Sequence, residues 1–182
     1  MEKTLRNIAI RISKEAAFIL LTVASAVVFP QILHTLGAAL GLGGQLGQML
    51  LPMYLPVMIL GFYRGEIPAA ITGLLAPLVS FAITGMPAEA LLPYITLELI
   101  ATGIFAGAMT RVKFFAPLKV LSVQVLAKIV RISVYAIALY TTTGVLSASA
   151  LTAGILTSVP GLVLQLVVVS LVIVKKESKS NE

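Results

Sequence analysis

The chain has 182 residues, of which 59% are hydrophobic and only 11% charged; soluble domains carry about 25% charge, so an ordinary water-soluble globule is excluded. The absence of cysteine rules out disulfides, thiolate chemistry and Cys-type metal sites. The net charge of +6 does not point to nucleic acid. The basic residues stand in short clusters flanking apolar runs, a placement that anionic headgroups and membrane topology explain.

Residues 16–63 form a run of 48 without Asp, Glu, Lys or Arg. One helix needs only about 20 residues to cross roughly 30 Å of hydrocarbon, so this run folds back on itself. The first span is expected over Ala16–Thr35 and the second over Met49–Tyr63, joined by the Gly-rich connection Leu36–Gln48. Pro52 and Pro56 predict a bent or partly unwound helix in the second. The remaining spans are expected at Ile67–Thr84, Ala90–Met109, Pro117–Thr141 and Ala148–Val174. The basic N-terminus and first apolar stretch resemble a signal peptide, but no small-residue cleavage site follows and the stretch is long, so it is read as a span. The fold class predicted is an all-α integral membrane protein, one domain of six transmembrane helices in a single bundle.

Lys3, Arg6, Arg11 and Lys14 precede the first span, and Arg64 lies between the second and third. Arg111, Lys113 and Lys119 lie between the fourth and fifth, and Lys175, Lys176 and Lys179 follow the sixth. Alternating spans put all of these on one side, which the positive-inside rule makes cytoplasmic, with both termini. The opposite connections, Leu36–Gln48, Gly85–Glu89 and Thr142–Ser147, hold only Glu89.

Two basic residues are left over, Lys128 and Arg131, both within the fifth span. A charge at the bilayer centre costs at least about 2.5–3.5 kcal/mol, so neither is expected to face lipid. Gln124, Lys128, Arg131 and Tyr135 share one helix face. At 1.5 Å per residue Lys128 lies about 16 Å along its span and Glu98 about 12 Å along the antiparallel fourth, at matching depth. Glu98 either simply locks the bundle by neutralising a cation, or orients the cations for a ligand. One carboxylate does not balance two cations, and an uncompensated buried cation calls for water or an anionic guest. A water-accessible cavity open to the outer side and lined by the fourth to sixth spans is therefore expected. Gln165, beside Pro160 and Gly161, adds a polar position on the sixth span.

Gly103 and Gly107 form a GxxxG on the fourth span, read either as packing within the chain or as contact between subunits. The first span offers small residues that suit close packing or a partner. The outer loop, with Gln45 and Gln48, is either a lid over the cavity or an idle connection. His34, the single histidine, is placed to touch a ligand but has no companions for a metal site. No GxxxxGK[ST], GxSxG or HExxH motif occurs, so neither ATP hydrolysis nor these hydrolase chemistries are expected, and no cofactor is implied. The chain is not expected to be an enzyme.

LPMYLPVMILGFYRGEIPAAITGLLAPLVSFAITGMP, from Leu51 to Pro87, resembles the second and third spans of substrate-binding S components of energy-coupling factor (ECF) vitamin transporters. ITLELIATGIFAGAM, from Ile95 to Met109, is similar to the family's fourth span, and Lys128-Ile-Val-Arg131 to the basic motif of its fifth. The resemblance extends to size, span number and terminal placement. It implies a prokaryotic plasma-membrane subunit of an ABC-type importer that captures a scarce vitamin from outside, docks on a membrane scaffold carrying two ATPases, topples and releases its cargo inward. Thr22 and Ala26 are the nearest small-xxx-small equivalent of the family's first-helix docking motif, and Val130 stands where relatives often have Gly. The roles implied are Arg131 and Lys128 for an anionic group, Glu98 orienting them, Tyr135 and Thr102 for hydrogen bonds, and Gln45 and Gln48 from the lid. Pantothenate or another anionic vitamin is favoured, with folate, riboflavin, pyridoxine-type and hydroxymethylpyrimidine compounds open. A stand-alone secondary carrier and a non-transporting scaffold are the rival readings.

Overall fold

The computed structural model describes residues 2–42, 45–145 and 148–180. It is helical throughout, with no strand among the described residues. Helix α1 runs unbroken over Glu2–Ala39, about 57 Å at 1.5 Å per residue, so its basic first turns extend beyond a hydrocarbon layer of about 30 Å. The Gly-rich connection is shorter than expected: α1 continues to Ala39 and a six-residue helix, α2, begins at Gln45 and ends at Leu50. Residues 43 and 44 lie outside the described residues.

The segment expected to form the second span is two helices. After α2 the chain unwinds at Leu51–Met53 and resumes as α3, Tyr54–Arg64. Leu51 takes φ 46°, a left-handed conformation. Pro52 explains the break, because a proline removes a backbone donor and disfavours the right-handed helical region for the residue before it. Helix α4 spans Glu66–Thr84 and ends on Gly85, whose left-handed φ of 71° lets its N–H donate to the Phe81 carbonyl. A 3₁₀ turn at Glu89–Leu91 leads into α5, Leu92–Met109. Helix α6 covers Ala116–Thr143 and α7 covers Ala148–Ser180.

Among the described residues, five helical stretches are long and apolar enough to cross a membrane: Ile10–Ala39, Glu66–Thr84, Glu89–Met109, Ala116–Thr143 and Thr157–Lys179. Helix α5 is central, packing on α3, α4 and α6. Glycines set the closeness of these contacts: a Cβ at Gly103 would lie 2.6 Å from the Ala69 backbone and one at Gly73 2.5 Å from the Leu99 carbonyl. Gly107 likewise faces the backbone of Glu66. The GxxxG of α5 thus packs within the chain, against α4. Large apolar side chains face outward, with Ile67 74%, Ile83 70% and Leu20 67% exposed, the inverse of a soluble surface and the surface lipid tails cover.

Charge is segregated along the bundle. Glu15–Arg64 (2.7 Å), Glu66–Arg111 (3.1 Å) and Lys119–Glu177 (2.7 Å) form ion pairs at the end where α3 closes and α4, α6 begin. Lys176 donates to the Phe62 carbonyl at 2.6 Å there, occupying an acceptor in the last turn of α3. The opposite end is made of the C-terminal turns of α1, the short α2 and the connection before α5.

Candidate functional site

At mid-bundle, Glu98 of α5 is 1% exposed and gathers two hydrogen-bond donors and an ammonium from two other helices. Its Oε1 lies 2.7 Å from Lys128 Nζ. Its Oε2 accepts from the Tyr54 hydroxyl at 2.6 Å and from Arg131 Nη1 at 3.1 Å. Tyr54 reaches it because the break at Pro52 restarts α3 at that depth. The Lys128 ammonium lies within ion-pair distance, yet its direction is not that of a hydrogen bond, and it sits 5.6 Å from the Tyr54 ring centroid. It is held by charge rather than by aligned donors. The cluster holds two cations and one carboxylate, an excess of one positive charge in a low-dielectric setting.

Below this cluster Gln124 donates to the Leu162 carbonyl at 2.9 Å and to Gln165 Oε1 at 3.3 Å. Gln165 Nε2 in turn donates at 3.4 Å to the Leu51 carbonyl, which also accepts from the Tyr54 backbone N–H at 3.2 Å, tying the broken segment to α7. A Cβ on Gly161 would meet the Met49 and Leu50 backbone, so the glycine admits the broken segment against α7. Above the cluster Tyr135 packs edge-on to Tyr94, with centroids 5.2 Å apart.

The hollow beside the cluster has a volume of about 310 Å³ and lies at the end of the bundle away from the ion pairs. Its walls are Pro30, Gln31 and His34 of α1, Gly47 of α2, the unwound residues Leu51–Met53, the connection at Met86–Ala88, and Ile95. Among the described residues Arg131 is the one charged residue lining it. The hollow differs in position from the expected one: it opens where the helix breaks, bordered by α1, α2 and the start of α3, and it also takes Ser80 of α4, Leu91, Ile95, Arg131, Thr157 and Ser158 from the later elements. The space around Lys128, Glu98 and Thr102 is about 10 Å³, filled by their own contacts.

The residues singled out in the sequence therefore occupy different places. Arg131 faces the hollow, with a side chain 25% exposed. Lys128 and Glu98 lie behind it, and Thr102 donates to the Glu98 backbone carbonyl at 2.8 Å. Tyr135 makes its contact with Tyr94 and is not among the hollow's lining residues. Gln45 and Gln48 lie on α2, and their side chains are outside the described residues. Ala26 is fully buried among Met53, Tyr54, Val57 and Ala76, so in this conformation it is occupied by packing within the chain. Half-buried Thr22 donates to the Phe18 carbonyl at 2.7 Å. Among the described residues no group of three His, Asp or Glu is placed to hold a metal ion.

Two participants were missed in the sequence. Tyr54 stands two residues after the helix-breaking Pro52, and Gln31 follows Pro30 inside an apolar span. Each is a polar side chain beside a proline in a charge-free stretch, the signal that would have pointed to them. Compared with models of known families, with curated proteins and with solved structures, the chain matches none.

Proposed function

We propose that the chain captures a small anionic solute from the outer face of a prokaryotic plasma membrane, as the S component of an ECF-type importer working with a membrane scaffold and two ATPases. The observation that carries the anion is the two-to-one charge count at Glu98, with Arg131 at the edge of a 310 Å³ hollow. That volume is at the lower end of the range for small-molecule sites, which suits a compact vitamin such as pantothenate. The importer assignment rests on the resemblance of Leu51–Pro87, Ile95–Met109 and Lys128–Arg131.

In this reading Arg131 turns its planar fork from Glu98 to the solute, a geometry suited to a carboxylate or phosphate. Lys128 and Tyr54 stay with Glu98, so that carboxylate is never left bare. With the anion bound, two cations face two anions. Lys128 then acts by balancing Glu98 rather than by touching cargo.

The topology that goes with this function has six crossings and cytoplasmic termini, α2 and α3 together making the second crossing. Because the chain has no cysteine, single replacements report sidedness. Ala88→Cys is expected to react with an impermeant maleimide on intact cells, and Lys113→Cys only after permeabilisation; the reverse pattern contradicts the arrangement.

The energetics are tested with the purified chain in vesicles without ATPases. Stoichiometric binding of pantothenate with no accumulation under a proton or sodium gradient is expected. Sustained gradient-driven uptake would instead identify a secondary carrier.

A further inference from the structure

Away from the hollow, at the ion-paired end, a recess of about 300 Å³ lies between the first turns of α1 and the last residue of α3. Among the described residues its lining is Asn7, Ile10, Arg11, Lys14 and Arg64, three cations and no acid. The four from α1 are spaced i, i+3, i+4 and i+7, so one helix face supplies them. Arg64 is already clamped. Its Nε donates to Glu15 Oε2 at 3.2 Å, its Nη2 lies 2.7 Å from Glu15 Oε1, and its guanidinium carbon stands 4.3 Å from the Phe18 ring centroid. The Nη1 edge of this fixed fork remains for a ligand. Among the described residues the Arg11 and Lys14 side chains make no ion pair. With Glu15 counted, the recess keeps a surplus of two positive charges.

The recess sits where α1 enters its membrane-crossing stretch, which begins at Ile10. Further along the same face Phe18, Leu21 and Val28 are exposed. From Phe18 to Val28 the helix rises about 15 Å, half of a hydrocarbon layer of about 30 Å. A cationic recess thus runs into an apolar strip one leaflet deep, and a soluble anion has no use for that strip. We propose that the recess binds the phosphate of an anionic phospholipid, with an acyl chain lying along Phe18, Leu21 and Val28. Arg64 takes phosphate oxygens with its fork, while Arg11 and Lys14 supply charge. A zwitterionic lipid fits less well, because its amine brings positive charge to a site that already holds a surplus. This site is separate from the hollow and independent of what the hollow takes.

The test places the full chain in nanodiscs of equal phosphatidylglycerol and phosphatidylethanolamine, extracts it in mild detergent and counts retained lipid by mass spectrometry. Wild type is expected to retain phosphatidylglycerol over phosphatidylethanolamine by about tenfold or more. Arg11→Gln with Lys14→Gln should abolish that preference. Lys113→Gln with Lys175→Gln, two exposed cations outside the recess, should leave it intact. Should the first pair not fold, Arg64→Lys keeps the charge, removes the fork and is expected to lose part of the preference. Equal retention of both lipids by wild type overturns the proposal, as does full preference in whichever recess variant folds. An equal loss from both double variants overturns it too, because general surface charge then explains the preference. Glycerophosphoglycerol and inorganic phosphate, which lack chains, are expected not to displace the lipid. Displacement by either at concentrations equal to the lipid's identifies a soluble phosphate as the occupant and overturns the lipid assignment.

Discussion

Glu98 accepts a hydroxyl and a guanidinium on one oxygen and faces an ammonium on the other, while 1% exposed. Its two cationic neighbours differ in freedom: the Lys128 side chain is 13% exposed and enclosed, whereas Arg131 borders open space. Removing either sign of charge therefore has opposite consequences. Glu98→Gln strands two buried cations and is expected to cost about 3–5 kcal/mol, seen as loss of the folded peak in size exclusion or a collapsed thermal transition. Lys128→Met leaves one carboxylate and one guanidinium, a matched pair, so folding survives. Ligand affinity should nevertheless fall about tenfold or more, because Arg131 can no longer leave Glu98 without baring it. Unchanged affinity in Lys128→Met would show that Lys128 has no part in balancing the site. The three charged members were legible in the sequence because ionised groups in apolar spans are conspicuous and must find each other. Tyr54 and Gln31 were not, since an uncharged polar side chain in a span carries a small penalty and its partners come from distant segments.

The elements around the site follow from prolines and glycines more than from helix propensity. Pro52 was visible as a helix breaker, but its consequence was not: the unwound Leu51–Met53 segment makes room for the hollow, and Gln165 and Gly161 of α7 receive its backbone. Leu51 holds a positive φ that costs a non-glycine residue on the order of 1–2 kcal/mol, sustained by these contacts. Which helix the GxxxG of α5 would meet was equally hidden, because small-residue motifs specify closeness without naming the neighbour. The structure has Gly103 against Ala69 and Gly107 against Glu66. Gly103→Leu forces α4 from α5 and is expected to destabilise by about 1–3 kcal/mol, as overpacking does elsewhere. Scanning calorimetry in detergent checks this. A melting temperature equal to wild type would mean that α4 and α5 do not approach as closely as described.

Across the whole molecule, ion pairs gather at one end, the hollow opens at the other beside connections whose one charged residue in sequence is Glu89, and Glu98, Lys128 and Arg131 lie between. That polarity was readable from the alternation of basic clusters and charge-free connections, which depends only on the order of residues. The location of the hollow was not readable, because it depends on how α1, α2 and α3 part company in three dimensions. In the proposed function the surplus positive charge at mid-bundle receives an anionic solute through Arg131. Native mass spectrometry of the chain purified gently from its own membranes tests this most directly. A small acid bound one to one is expected in the wild type and is expected to be absent from folded Arg131→Ala. A wild-type chain with no bound acid after exposure to candidate vitamins, or an Arg131→Ala variant that keeps the same acid at the same occupancy, would contradict it.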